Sequence, residues 1–272
     1  MNRDDMLIEA DELLSKLESP NLRIFDATIL FFREEGELTA YEQHERAHLP
    51  GAAFFDHETF SDASSKYMYM ALPEAELARQ IGRVGIAKDS EVVFYTSGLL
   101  ACATRAWWLL RYAGHERVRV LNGGLAAWAE AGGELERGAR HYQPTTFECK
   151  LRPEMFASKE EVLTAMNDAG VCTVNTLSAE AYGDTRIAGS SRLAFDDLMQ
   201  DMTSFLPDGA LAARLEEEAQ HERVITYCGG GIAATVNAMA HLIAGNENVS
   251  VYDGSMDEWV KEGPPVSKGK IA

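Results

Sequence analysis

The chain has 272 residues, 46% of them hydrophobic and 25% charged, a globular composition long enough for two domains of ordinary size. Forty-three acidic against 25 basic residues leave a formal charge of −18. Such a surface repels nucleic acid and anionic membranes, both of which are bound mainly through Lys and Arg, so neither is an expected partner. No apolar run approaches the ~20 residues of a membrane span. The opening Met1-Asn2-Arg3-Asp4-Asp5 has neither a signal-peptide core nor transit-peptide character, and a cytoplasmic location is expected.

In chain order, Leu77, Ile81 and Val84 recur at helical spacing behind Pro73, which marks a helix start. Val92 to Tyr95 is a β-rich run ending in the turn Thr96-Ser97-Gly98. Cys102 to Ala113 is apolar on most sides and predicts a buried helix. Val118 to Leu121 is a strand closed by Asn122-Gly123-Gly124. Periodicity then fades between Glu136 and Pro153, the expected linker. Beyond it, Leu211 to Ala219 predicts a helix, Val224 to Tyr227 a strand, Ile232 to Ala244 a helix and Val249 to Tyr252 a strand. Short apolar runs alternating with helices indicate an α/β chain built on mostly parallel sheets.

The two halves punctuate alike. Val92-Val93-Phe94-Tyr95-Thr96 has a counterpart 132 residues later in Val224-Ile225-Thr226-Tyr227-Cys228. Leu121-Asn122-Gly123-Gly124 with Trp128 matches Tyr252-Asp253-Gly254-Ser255 with Trp259. His48-Leu49-Pro50-Gly51-Ala52 matches Arg186-Ile187-Ala188-Gly189-Ser190, and Arg23 to Ala27 matches Thr173 to Thr176. Four pairs in one order indicate duplication, and two copies are too few for a solenoid. The expected division is a first domain over 1–135, a linker over 136–153 and a second domain over 154–272.

None of the four cysteines forms a C-x-x-C pair, so a zinc knuckle or a dithiol motif has no support. Cys228 stands apart from the other three. It ends a strand, three glycines follow it, and a helix pattern follows them. The glycines let successive N–H groups face one centre, and the helix directs its positive dipole end there. That field favours a thiolate. The bland alternative, an inert buried thiol beside a tight turn, explains one glycine better than three.

Duplication and loop together resemble the tandem-domain rhodanese sulfurtransferases. The resemblance rests on Phe25-Asp26-Ala27, Ala47-His48-Leu49-Pro50-Gly51-Ala52, Arg105-Ala106-Trp107-Trp108, Leu121 to Trp128, the Cys228 loop and Tyr252-Asp253-Gly254-Ser255. It implies two rhodanese-like α/β domains, the first silent because Thr96 stands at the cysteine position, and helping to wall the site. It also implies a ping-pong cycle through a Cys228 persulfide held by the loop Gly229, Gly230, Gly231, Ile232, Ala233 and Ala234. The donor would be 3-mercaptopyruvate or thiosulfate, and the acceptor cyanide or a thiol, including a thioredoxin-like protein. No metal or organic cofactor is implied. The loop lacks the cationic side chains of thiosulfate-type loops and is similar to the Cys-Gly-Ser-Gly form of mercaptopyruvate enzymes, with Gly230 at the serine and Ala233 at a usual threonine. Val174-Asn175-Thr176-Leu177 also stands where Val-Asp-Ala-Arg is common.

Arg186 is a candidate for the donor's anionic group, set against a surface pairing with Asp184; Arg192 is a second candidate. His48 is read either as a polar wall or proton donor at the domain interface, or as a structural histidine bonded to backbone. Arg105 is expected in a salt bridge, and Trp107 and Trp108 in the core. Three rivals remain open. A cysteine phosphatase or arsenate reductase would need Arg six positions past the cysteine, where Ala234 stands. A persulfide relay or scaffold would serve a dedicated partner. A redox role would pair Cys228 with a distant cysteine.

Overall fold

The structure, a computed structural model, describes residues 2–269. The apolar runs become strands covered on both faces, as near-continuous hydrophobic segments of parallel sheets do; Val92 to Tyr95 are all buried. The first half runs α1 (Arg3–Met6), β1 (Leu7–Ile8), α2 (Ala10–Lys16), β2 (Leu22–Asp26), α3 (Ala40–Arg46) and β3 (Ala53–Phe54). It continues through α4 (Glu74–Arg83), β4 (Glu91–Tyr95), α5 (Leu100–Tyr112), β5 (Val118–Leu121) and α6 (Gly124–Glu130). Its five strands form one parallel sheet in the order β1-β5-β4-β2-β3.

The second half opens with β6 (Phe156–Ala157), α7 (Lys159–Ala165), β7 (Val171–Asn175), β8 (Thr185–Ile187) and β9 (Ser191–Arg192). The hairpin β10 (Met199–Asp201) and β11 (Ser204–Phe205) follows, then α8 (Asp208–Arg214), β12 (Arg223–Tyr227), α9 (Ala234–Ile243), β13 (Val249–Tyr252), α10 (Ser255–Glu262) and β14 (Val266–Lys268). The parallel sheet β6-β13-β12-β7-β9 repeats the first sheet's order. Helices flank both sheets, so each half is an α/β unit of the expected kind.

The duplication extends to single hydrogen bonds. Leu49 N–H donates to the Tyr95 hydroxyl at 3.3 Å, and Ile187 N–H donates to the Tyr227 hydroxyl at 3.0 Å. Each bond ties the loop His48–Ala52 or Arg186–Ser190 to the end of the central strand. Leu125 N–H bonds the Thr96 carbonyl as Met256 N–H bonds the Cys228 carbonyl, both at 3.0 Å.

One core cluster spans both halves, from Trp107 and Trp108 to Met239 and Val251, while each sheet's outer face has a smaller core of its own. The shared core lies where α5 packs on α9, and the Thr104 and Thr235 hydroxyls meet there at 2.7 Å. Residues 137–152 form no helix or strand, yet they are fastened along the first half. The Tyr142 hydroxyl donates to Gly51 O at 2.7 Å, Thr145 N–H donates to Gly82 O, and Phe147 is buried.

One helix departs from expectation. The helix predicted over Leu211 to Ala219 is α8, ending at Arg214, followed by a 3-10 turn at Glu218–Gln220. Leu211 and Leu215 are buried as the pattern requires. The run Glu216-Glu217-Glu218 falls at the negative end of the helix dipole, which disfavours continuation.

Candidate functional site

β12 carries the buried residues Val224, Ile225, Thr226 and Tyr227 into the sheet centre, and the chain must leave at its carboxyl end. Cys228 is the first residue out, 2% exposed, where α/β sheets place their ligands. Its main chain is pinned from the start of α10, just after the second sheet's last strand. The Ser255 hydroxyl accepts the Cys228 N–H at 3.1 Å and donates to the Tyr252 carbonyl at 2.8 Å. Met256 and Asp257 N–H groups bond the Cys228 and Gly229 carbonyls. Ser255 does this from a positive φ of 49°, the conformation of Gly124 at the matching position of the first half.

The loop then bends through Gly229 to Ala233 into α9. Among the described residues, no protein acceptor meets the backbone N–H groups of Gly229, Gly230, Gly231, Ile232 or Ala233. Buried N–H groups are normally paired, so five consecutive free donors at a helix N-terminus form a ready anion site. Of the three glycines, Gly231 alone adopts positive φ (77°), and a Cβ there would lie 2.8 Å from the Asp253 carbonyl. Gly229 and Gly230 serve differently. Their bare Cα atoms lie under Tyr182 and Met68, whose atoms would stand 3.2 and 3.3 Å from an added Cβ.

The first half supplies part of the wall. Its arm over 61–71 is closed by a Ser61–Ala71 bridge and lies on the second half. Met68 N–H donates to Asp257 Oδ2 at 3.0 Å and Ala71 N–H to Asp253 Oδ2 at 2.7 Å. Behind it, buried Arg105 pairs with Asp253 at 2.7 Å and donates to the Gly231 and Tyr69 carbonyls. The expected salt bridge of Arg105 therefore crosses between the halves and touches the Cys228 loop. The return contact is made by the β10–β11 hairpin, whose Met202 and Thr203 carbonyls accept Leu100 and Gly123 N–H beside the Thr96 loop. At that loop Thr28, Thr96 and Ser97 form a hydroxyl cluster.

The other sequence candidates sit apart from these contacts. His48 is buried, its Nδ1–H bonded to the His44 carbonyl at 2.8 Å and its ring stacked on His44, all within the first half. That is the backbone-bonded alternative. Asp184 pairs with Arg192 at 2.6 Å instead of with Arg186, because the turn over 182–184 delivers the carboxylate to β9. Arg186 donates to the Gly269 carbonyl from β8. Burial pushes the Cys102 thiol up to about 12 and Cys149 up to about 11, and raises Cys172. All four cysteines are unbridged. Sequence reasoning missed Met68, Tyr69, Tyr182 and Asp257, while Ser255 lay within a quoted repeat whose match to Gly124 marked its unusual backbone.

A parallel sheet ending in Cys228 and a second copy ending in Thr96 define a duplicated α/β protein with one thiol centre. The rhodanese-like domain model matches residues 9–131 and 158–262. The chain belongs to the rhodanese family and, with both domains present, to its tandem-domain sulfurtransferases. It is 30% identical to mouse thiosulfate sulfurtransferase over 96% of this chain and 93% of the relative. It is 29% identical to 3-mercaptopyruvate sulfurtransferase of Escherichia coli strain K12 over 93% of this chain and 94% of the relative. The crystal structure of SseA from Escherichia coli superposes with a TM-score of 0.84 at 26% identity, covering 94% of this chain and 99% of SseA.

Proposed function

We propose that Cys228 is the nucleophile of this sulfurtransferase and that the loop Gly229–Ala234 holds the transferred sulfur. The observation that carries the reading is the run of five unpaired N–H groups, Gly229 to Ala233, beside a nearly enclosed thiol. An anionic persulfide sulfur offers the acceptor those donors lack. In the first half-reaction the Cys228 thiolate attacks the donor's outer sulfur. The S–S or C–S bond of the donor breaks, and sulfite or the pyruvate carbanion leaves with the electron pair, the latter taking a proton from solvent. In the second, cyanide or a thiolate attacks the outer sulfur of the persulfide, and Cys228 recovers its thiolate. No step needs a metal or an organic cofactor.

The relatives named for thiosulfate and for 3-mercaptopyruvate make both donors candidates here, with a small thiol, cyanide or a thioredoxin-like protein as acceptor. Arg192 is committed to Asp184 and Arg186 donates to a carbonyl, so neither leads as the donor's anion anchor. His48 belongs with the supports of the first half. Four free thiols suit a reducing, cytoplasmic setting. Among the described residues, no helix is long and apolar enough to cross a membrane.

The test is intact mass after incubation with each donor. Wild type should gain one sulfur that dithiothreitol removes, and Cys228→Ser should gain none. Equal gain in both proteins would overturn the assignment.

A further inference from the structure

The face of the catalytic loop that its glycines leave bare is roofed by three side chains from two separate places. Tyr182 stands over Gly229, while Met68 and the ring edge of Tyr69 stand over Gly230. Tyr182 and Met68 are both substantially exposed, so they form the outer rim of the mouth, with Cys228 enclosed beneath. Tyr69 and Tyr182 each hold a positive φ, of 54° and 52°. Non-glycine residues keep that strained conformation only where the surroundings fix it, and such strain gathers at ligand clamps.

The electrostatics of the rim point the same way. Asp257 presents its carboxylate between Met68 N–H and Lys261, whose ammonium it binds at 2.9 Å. The other nearby cations are also committed. Arg105 is held by Asp253 and two carbonyls, and Lys66 pairs with Glu262 at 2.6 Å. Burial, and then the charges of Asp257 and Cys228, raise the Tyr182 phenol, which therefore stays protonated at neutral pH. A dianion entering this mouth would meet two aromatic rings, a thioether and a carboxylate, with the neighbouring cations already paired.

Resting on the sulfurtransferase reading, we infer that the mouth over Cys228 selects donors with an apolar body and at most one negative charge, and that Tyr182 is the specificity-determining side chain. The ring of Tyr182 covers the donor's apolar group while its sulfane sulfur reaches Cys228. Aromatic contact of this kind and enclosure of apolar surface add to binding without any ion pair.

Thiosulfonates isolate the point because they share the reaction. The thiolate takes the outer sulfur of R–SO2–S⁻, the S–S bond breaks, and the sulfinate R–SO2⁻ leaves with the bonding pair. Benzenethiosulfonate, methanethiosulfonate and thiosulfate thus vary the body and the charge of a single donor type. The readout is kcat/KM for Cys228 loading by mass spectrometry, each value divided by the donor's rate with a free small thiol to remove intrinsic reactivity. The expected order is benzenethiosulfonate, methanethiosulfonate, thiosulfate, with roughly tenfold or more between the ends. Tyr182→Ala, which keeps the same backbone demand, should shrink the ratio between benzene- and methanethiosulfonate, and Tyr182→Phe should retain it. Asp257→Asn, which keeps an acceptor for Met68 N–H, should raise thiosulfate relative to the two monoanions.

Preference for thiosulfate, or an aromatic advantage that survives Tyr182→Ala, would overturn the inference while leaving the persulfide chemistry standing. Failure of all three donors and of 3-mercaptopyruvate to load Cys228 would remove the underlying reading and the inference with it.

Discussion

Replacing Arg105 by Met should destabilise this protein far more than losing a surface charge. Its guanidinium and the Asp253 carboxylate are both buried, 2.7 Å apart, and come from different halves of the chain. Removing the cation strands a carboxylate in the interface, which costs about 3–5 kcal/mol. At roughly 2–4 °C per kcal/mol for chains of comparable size, the melting midpoint should fall by about 6–20 °C. The second substitution Asp253→Asn should return much of that loss. It removes the stranded charge and leaves an amide oxygen to accept the Ala71 N–H now bound at 2.7 Å. Circular-dichroism melts of the wild type, both single variants and the double variant complete the cycle. A single-variant loss below about 1 kcal/mol, the range of exposed ion pairs, would refute the argument. So would strict additivity in the double variant, because the pair would then carry no coupling.

Three further outcomes follow from the geometry. Gly231→Ala places a Cβ 2.8 Å from the Asp253 carbonyl at positive φ, and should cost at least roughly 1–2 kcal/mol and most of the transfer activity. Gly230→Ala, whose Cβ would lie nearest to the Met68 and Tyr69 side chains, should be milder in a urea melt. Acid should weaken the fold early: burial, reinforced by Arg105, pushes His57 down to about 3, and burial pushes His241 down to about 4. The unfolded chain protonates both near about 6.5, so from there downward it binds more protons than the folded state and stability falls, by up to about 2.7 kcal/mol per pH unit. Urea midpoints between pH 7.5 and 5 should show this slope, and His241→Leu should flatten it by about half; a profile that stays level would refute neutral burial of these rings.

The sequence made the strands legible because burial on both faces leaves an unbroken apolar run, as in Val92 to Tyr95 and Val224 to Tyr227. It made the thiol centre legible because the strand, the cysteine, the glycines and the helix are consecutive. The roof was not legible. Met68 and Tyr69 reach the Cys228 loop from 160 residues away, and nothing in their own neighbourhood signals the visit. Arg105 and Asp253 pair across 148 residues, and local spacing suggested only that Arg105 would find some partner. Asp184 was legible as an ion-pair former but not its choice of Arg192 over Arg186, which depends on three successive left-handed residues, Tyr182, Gly183 and Asp184. The early end of α8 shows the limit of periodicity: Leu211 and Leu215 set the buried face, while the charge of Glu216 to Glu218 set the length.

The two arms cross in opposite directions, one from each half, each closing over the other's strand-end loop. Melting either half would unroof its neighbour and withdraw the pins that fix the neighbour's loop. The thermal transition should therefore be a single one, with calorimetric and van't Hoff enthalpies in agreement, although the sheets are separate and the chain between them has no secondary structure of its own. In those terms the half whose central strand ends in Thr96 is a thermodynamic partner of the half that carries Cys228, and the Cys228 loop has the stability of the whole chain behind it.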